Sequence, residues 1–353
     1  MFRRRRALVA AAAIPVAFVA VAFAATANGD PVADPAASGD DPRLRVVTSF
    51  YPLQFVAERV AGDHADIVNL TPPAADPHHL ELSLARVREV GTADVVVTLG
   101  GFMHAVDAAV ETQQPARVVD AADLVYLLPA NAHAGGSHDH GHSHGHGHGH
   151  DGHSHDGHSH SDHAHDESHD QGHSHDIGGY DPHFWLDPTR LAQLAQPVAD
   201  ALADAAPANA DAFHANAAAL EQDLADLDAE FAEALAPFQG ATLVTNHTAF
   251  GYLAARYGLE QVGITGLSHD IEPSPARLRE ISDVVREHNV ATIFYETLVS
   301  PRVVQTLAAD LGVHATVLDT LEGLTDQGAE AGDDFLTVMR RNLQSLTDGL
   351  VAP

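Results

Sequence analysis

The chain has 353 residues, 45% of them apolar, enough for a substantial core in one large or two medium domains. Its net charge of −31 comes from 49 acidic residues against 18 basic ones, all Arg, which argues against nucleic acid or an anionic membrane surface as partner. There is no Cys, so disulfides, thiolate metal ligands and a lipid-modified N-terminal Cys are excluded, and the expectation is a protein that is not a lipoprotein.

Residues 1–27 read as a secretory signal peptide. Residues 3–6 are all Arg, residues 7–25 are an apolar run, and Ala25-Thr26-Ala27 is a small-residue end. The run is nearly long enough to span a bilayer, so an uncleaved anchor is the alternative. Residues 28–43, rich in Asp, Pro, Ala and Gly, read as a flexible tether. From Leu44 onward, strands are expected at 45–48, 67–70, 94–99 and 117–119, with helices at 52–61, near 82–89 and after Gly100-Gly101. A helix follows Pro188 to about Ala205. A longer one over 208–235 places Phe213, Ala217, Leu220, Leu224, Leu227, Phe231 and Leu235 on one stripe, and spans roughly 40 Å at 1.5 Å per residue. Beyond Pro237, strands at 241–244, 261–265, 291–295 and 313–318 alternate with helices at 248–257, 274–288 and 301–311, and a last helix covers 333–348. The fold class is therefore α/β: two pseudo-symmetric lobes with mainly parallel sheets, 44–206 and 238–353, joined by a long rigid linking helix at 207–237.

Residues 131–179 interrupt the first lobe. Sixteen of the 27 histidines fall within 138–175, interleaved with Gly, Ser and Asp. Such a segment cannot bury apolar surface and reads as a disordered loop. Imidazole at this density suits Zn²⁺, Cu²⁺ and Ni²⁺. An engineered tag is the bland reading, but the tract is internal, long and irregular.

The two halves echo each other. Val47-Thr48-Ser49-Phe50 matches Val244-Thr245-Asn246-His247 at an offset of 197, and Glu81, Ser83 and Ala85-Arg86 match Glu272, Ser274 and Ala276-Arg277 at an offset of 191. Two related lobes make a cleft, and open α/β sheets bind ligands at the carboxyl ends of their strands. Four residues stand in loops at such positions. His78 lies in Asp76-Pro77-His78, His183 in Asp181-Pro182-His183-Phe184-Trp185, and His247 and Asp319 each follow a strand. Singly, each is weak, because a loop histidine is more often satisfied locally than a ligand. Together, three imidazoles and one carboxylate suit tetrahedral Zn²⁺. His64, His214 and His288 read as solvated, and His314 as structural.

The motifs carry a resemblance. SFYPLQFVAERVAG from Ser49, DPHHLEL from Asp76, DPHFWLDP from Asp181, NHTAFGYLAARYGL from Asn246, EPSPARLREI from Glu272 and LDTL from Leu318 resemble the zinc/manganese solute-binding proteins of bacterial ABC importers, specifically zinc receptors with a His-rich loop. The likeness covers about 43–350. It implies two α/β lobes, a linking helix and one buried metal between the lobes, with ligands falling on His78, His183, His247 and Asp319. In manganese receptors the third position is usually Glu, so His247 favours zinc. Glu296 matches an acidic position expected either to support a ligand or to be structural. His79 and His104 depart from the usual residues; a place at the cleft mouth is the minority reading for His104, and His269 is read as a rim residue.

The implied function is an exported receptor, periplasmic or at the cell surface, that captures Zn²⁺ and delivers it to an ABC importer permease. It is expected to be a monomer, not an enzyme, with the His-rich tract an auxiliary zinc collector or sensor. Its affinity should fall below about pH 6.5, where imidazole protonates. The alternatives are a receptor for manganese or another divalent metal, a zinc buffer or adhesin-like surface protein, and a secreted zinc hydrolase. The last needs an open metal position and a general base, and no HExxH-like motif is present.

Overall fold

Short Val-rich runs covered on both faces build the first sheet, as parallel strands require. In the computed structural model, which describes residues 43–130, 179–267 and 272–353, β1 (Leu44–Thr48) is followed by α1 (Tyr51–Ala61), β2 (Ala65–Asn69), α2 (Leu84–Gly91) and β3 (Val95–Thr98). Then come α3 (His104–Gln113), β4 (Val118–Asp120) and α4 (Ala121–Leu124). The strands are all parallel, in the order β2-β1-β3-β4. The signal peptide, the tether through Pro42, the histidine-rich tract and His269 lie outside the described residues. Among those described, no helix is long and apolar enough to cross a membrane.

After a 3₁₀ turn at Phe184–Leu186 come α5 (Pro188–Leu191), α6 (Ala195–Ala205) and α7 (Ala210–Leu235). The single helix expected after Pro188 is two helices, separated by a 3₁₀ turn at Ala192–Leu194. All seven residues of the expected stripe on α7 are buried. They pack on α1, α6 and α12 (Phe335–Gly349), whose Phe335 stacks on Phe55 of α1 at 5.1 Å.

The second lobe repeats the first. β5 (Thr242–Thr245), α8 (Gly251–Tyr257), β6 (Glu260–Gly263), α9 (Pro275–Glu287), β7 (Thr292–Tyr295), α10 (Arg302–Leu311) and β8 (His314–Val317) form a parallel sheet in the order β6-β5-β7-β8, matching the first position for position. Equivalent serines start equivalent helices: Ser83 accepts from Arg86 N at 3.4 Å and Ser274 from Arg277 N at 3.1 Å, each filling the N-cap role. Val244, Ile264, Ile281, Ile293 and Val304 form a separate core inside this lobe. The short helix α11 (Asp326–Ala331) is not anticipated, because it buries no residue and so leaves no apolar stripe to read.

Candidate metal centre

The loops at the carboxyl ends of β2, β5 and β8, with the segment leading into the 3₁₀ turn, bring four side chains together. They are His78, His183, His247 and Glu322, and one donor atom from each lies within 4.8 Å of every other. His78 Nε2 and His183 Nε2 each stand 3.2 Å from Glu322 Oε1, His247 Nε2 is 3.5 Å from His183 Nε2, and His247 Nε2 is 4.0 Å from Glu322 Oε1. Four ligands at about 2.05 Å from a tetrahedral centre would be roughly 3.3 Å apart, so these spacings fit a small divalent ion such as Zn²⁺. His183, His247 and Glu322 are buried, and the His78 side chain is only 5% exposed.

Each position has a local cause. Asp181 Oδ1 accepts from the backbone N of His183 at 3.0 Å and meets its Nδ1 at 2.8 Å, which turns Nε2 towards the centre. Glu296 Oε1 meets His247 Nδ1 at 2.5 Å, which likewise turns that ring's Nε2 inward. Thr245 Oγ1 and Gln261 Nε2 donate to the His247 carbonyl. Asp76 Oδ1 accepts from His78 N at 2.8 Å. Phe102 meets the His78 ring edge to face at 4.9 Å and Trp185 lies 5.3 Å from His183, forming an apolar wall. Trp185 Nε1 in turn donates to Thr320 O at 2.7 Å, joining that wall to the loop that bears Glu322.

The four groups share charge. Burial works against a charged His183, but its hydrogen bonds to Asp181 and Glu322, with the charges of both, outweigh it and raise the imidazole to about 9. Burial likewise pushes Glu322 up, yet the hydrogen bonds from His183 and His78 hold its carboxyl well below the ordinary range. The two carboxylates thus favour the protonated form of His183.

Three of the four expected ligands, His78, His183 and His247, fall in this group. Asp319 does not. Its carboxylate accepts from Leu321 N and from Thr297 Oγ1, both at 2.8 Å, while Asn342 brackets its backbone. It shapes the turn that presents Glu322, three residues on. Burial raises the Asp319 carboxyl against these two hydrogen bonds, with Glu322 and Glu296 adding repulsion. Leu321, between them, is buried at φ 57, a left-handed conformation rare for a branched side chain, and this brings Glu322 back over the cleft. Glu296 contacts His247, as expected of a supporting residue. His79 is exposed beside Asp76, and His104 is exposed at the start of α3. Of the remaining histidines, His64 and His214 are partly buried and His288 and His314 exposed.

Two repeated parallel-sheet lobes spanned by one long helix, with metal-type donors gathered from both, define the architecture of a metal-site solute-binding protein. The profile described as "ZnuA: Zinc-uptake complex component A periplasmic" matches residues 46–349, and the chain belongs to this family. It is 34% identical over 309 residues to the "Zinc-binding lipoprotein AdcA" of Streptococcus pneumoniae serotype 4, covering 87% of this chain but only 56% of that protein. The chain thus spans little more than half of that relative's length. It is 30% identical over 312 residues to the "High-affinity zinc uptake system protein ZnuA" of Bacillus subtilis, covering 88% of each. The solved Zn(II)-bound ZnuA-like domain of S. pneumoniae AdcA superposes with a TM-score of 0.67 at 31% identity, covering 87% of this chain and 98% of that one. These likenesses bear out the two-lobed α/β fold. The family description agrees with an extracytoplasmic location. They overturn one expectation: a relative of this similarity is named a lipoprotein, so the absence of Cys from these 353 residues does not set lipid anchorage aside.

Proposed function

We propose that the chain is an extracytoplasmic Zn²⁺ receptor that delivers its ion to the permease of an ABC importer, with His78, His183, His247 and Glu322 as ligands. The observation behind this reading is the set of four donors, three of them buried, at spacings that fit a tetrahedral ion and held from both lobes. Three imidazoles and one carboxylate suit Zn²⁺ better than Mn²⁺, which prefers oxygen. The names of the pneumococcal and B. subtilis relatives point to the same cargo. Four protein ligands leave no open position for a reactive water, which favours carriage over hydrolysis. Asp319 belongs in this reading as the residue that shapes the Glu322 turn. The histidine-rich tract serves as a tethered collector of weakly held ions, at an effective concentration of order mM.

Competition titration with Zn²⁺ and Mn²⁺ against a chromophoric chelator tests the reading. One tight Zn²⁺ per chain is expected, with Mn²⁺ held far more weakly and the tight site lost in a His78→Ala, His247→Ala double variant. Tight binding that survives in the double variant, or equal affinity for Mn²⁺, would reject it.

A further inference from the structure

Tyr252 stands on α8 of the second lobe, yet its hydroxyl works in the first. It accepts from Leu128 N and donates to Asp181 O, both at 2.7 Å. These are the two sides of one stem. Leu128 O accepts from Asp181 N at 2.9 Å, Pro129 bridges Tyr180 in antiparallel fashion, and Ala130 N donates to Gly179 O at 2.8 Å. The chain leaves the described first lobe at Ala130 and returns at Gly179. Four residues past the return lies His183, whose backbone and ring are both held by the Asp181 carboxylate.

The phenol is fixed on every side. It is 1% exposed, and the Arg190 guanidinium lies 4.9 Å over its ring. Arg190 in turn bonds Asp187 Oδ2 at 3.2 Å and the Tyr126 carbonyl, so ring, stem and the start of α5 form one assembly. Burial pushes the phenol up, so it remains an O–H donor.

The geometry points to Tyr252 as a positioning residue for His183: one hydroxyl from the second lobe ties both sides of the Leu128–Asp181 stem together and so fixes the residue that aims the imidazole. This rests on the proposed zinc site. It makes the aim of one ligand depend on how the other lobe sits, and on the state of the stem.

Tyr252→Phe removes the hydroxyl and keeps the ring. In the full-length protein, half an equivalent of Co²⁺ reports the tightest site through its visible d–d bands, and Zn²⁺ competition reports affinity. We expect shifted Co²⁺ bands and Zn²⁺ binding about tenfold weaker, the scale at which residues behind metal ligands act. In an Asp181→Ala background, where the carboxylate to be aimed is gone, Tyr252→Phe should add little. Unchanged bands and affinity in a folded Tyr252→Phe protein, or full additivity with Asp181→Ala, overturn the inference. His247→Ala serves as control. If it binds Zn²⁺ like the wild type, the zinc-site reading itself fails, an outcome distinct from a silent Tyr252→Phe.

Discussion

Glu322 meets two imidazoles through one oxygen, in the one donor group of this kind among the described residues. Glu322→Ala should therefore weaken Zn²⁺ binding by at least about 100-fold, while Asp319→Ala, which loosens the turn without removing a donor, should cost about tenfold. The reverse ranking in a competition titration would return the ligand role to Asp319. His183 leads to a pH prediction. Its folded value of about 9 lies above the unfolded value of about 6.5, so its stabilisation of the metal-free fold is complete below about pH 6.5 and is lost as pH rises through about 9. Zn²⁺ uptake at pH 7 should accordingly expel about one proton from His183, and that yield should decline as pH rises through about 9. Calorimetry in buffers of different ionisation enthalpy measures it, and no proton release at pH 7 would remove the assignment. The histidines are legible in the sequence because each stands in a stiff loop or directly after a strand. Glu322 is not. The strand end points to Asp319, and only the left-handed backbone at Leu321, which no residue type there announces, brings the next carboxylate inward.

The stripe of α7 ties both halves of the protein to one 26-residue helix, about 39 Å long at 1.5 Å per residue. Leu224, fully buried near its middle, is the position to test. Leu224→Ala should lower stability by about 2–5 kcal/mol, read from denaturant unfolding of the metal-free protein. A loss below about 1 kcal/mol would mean that the helix is not part of the core. This element is plain in sequence because spacings of three and four persist over about six turns. The strands are plain as well, since Val-rich runs such as Val95–Thr98 alternate with capped helices. α11 and the break at Ala192–Leu194 are hidden for the same reason in reverse: one buries nothing, and the other changes hydrogen-bond pattern without changing composition.

At the scale of the whole molecule, the duplication has diverged in one telling place. Phe50 occupies in the first lobe the position that His247 takes in the second, and it packs on Phe102 and Trp185 at 5.2 and 5.0 Å. One copy supplies a donor of the candidate site and the other an aromatic wall. Removing residues 131–178 should leave one tight Zn²⁺ site and abolish the weaker ones, because all four donors lie outside that span and its flanking atoms, Ala130 N and Gly179 O, are already 2.8 Å apart. Native mass spectrometry under rising Zn²⁺ would count them, and loss of the tight site would place it in the tract instead. The depth of the cleft also sets a clock. With no donor side chain more than 5% exposed, a chelator in solution should reach a bound ion only after the site opens. Stopped-flow release should therefore level off as chelator concentration rises, at a rate equal to that of opening. A rate that keeps climbing in proportion to chelator would mean the ion is attacked in place. On the proposed function, a bound ion would be held through chance encounters with competing ligands until the site opens.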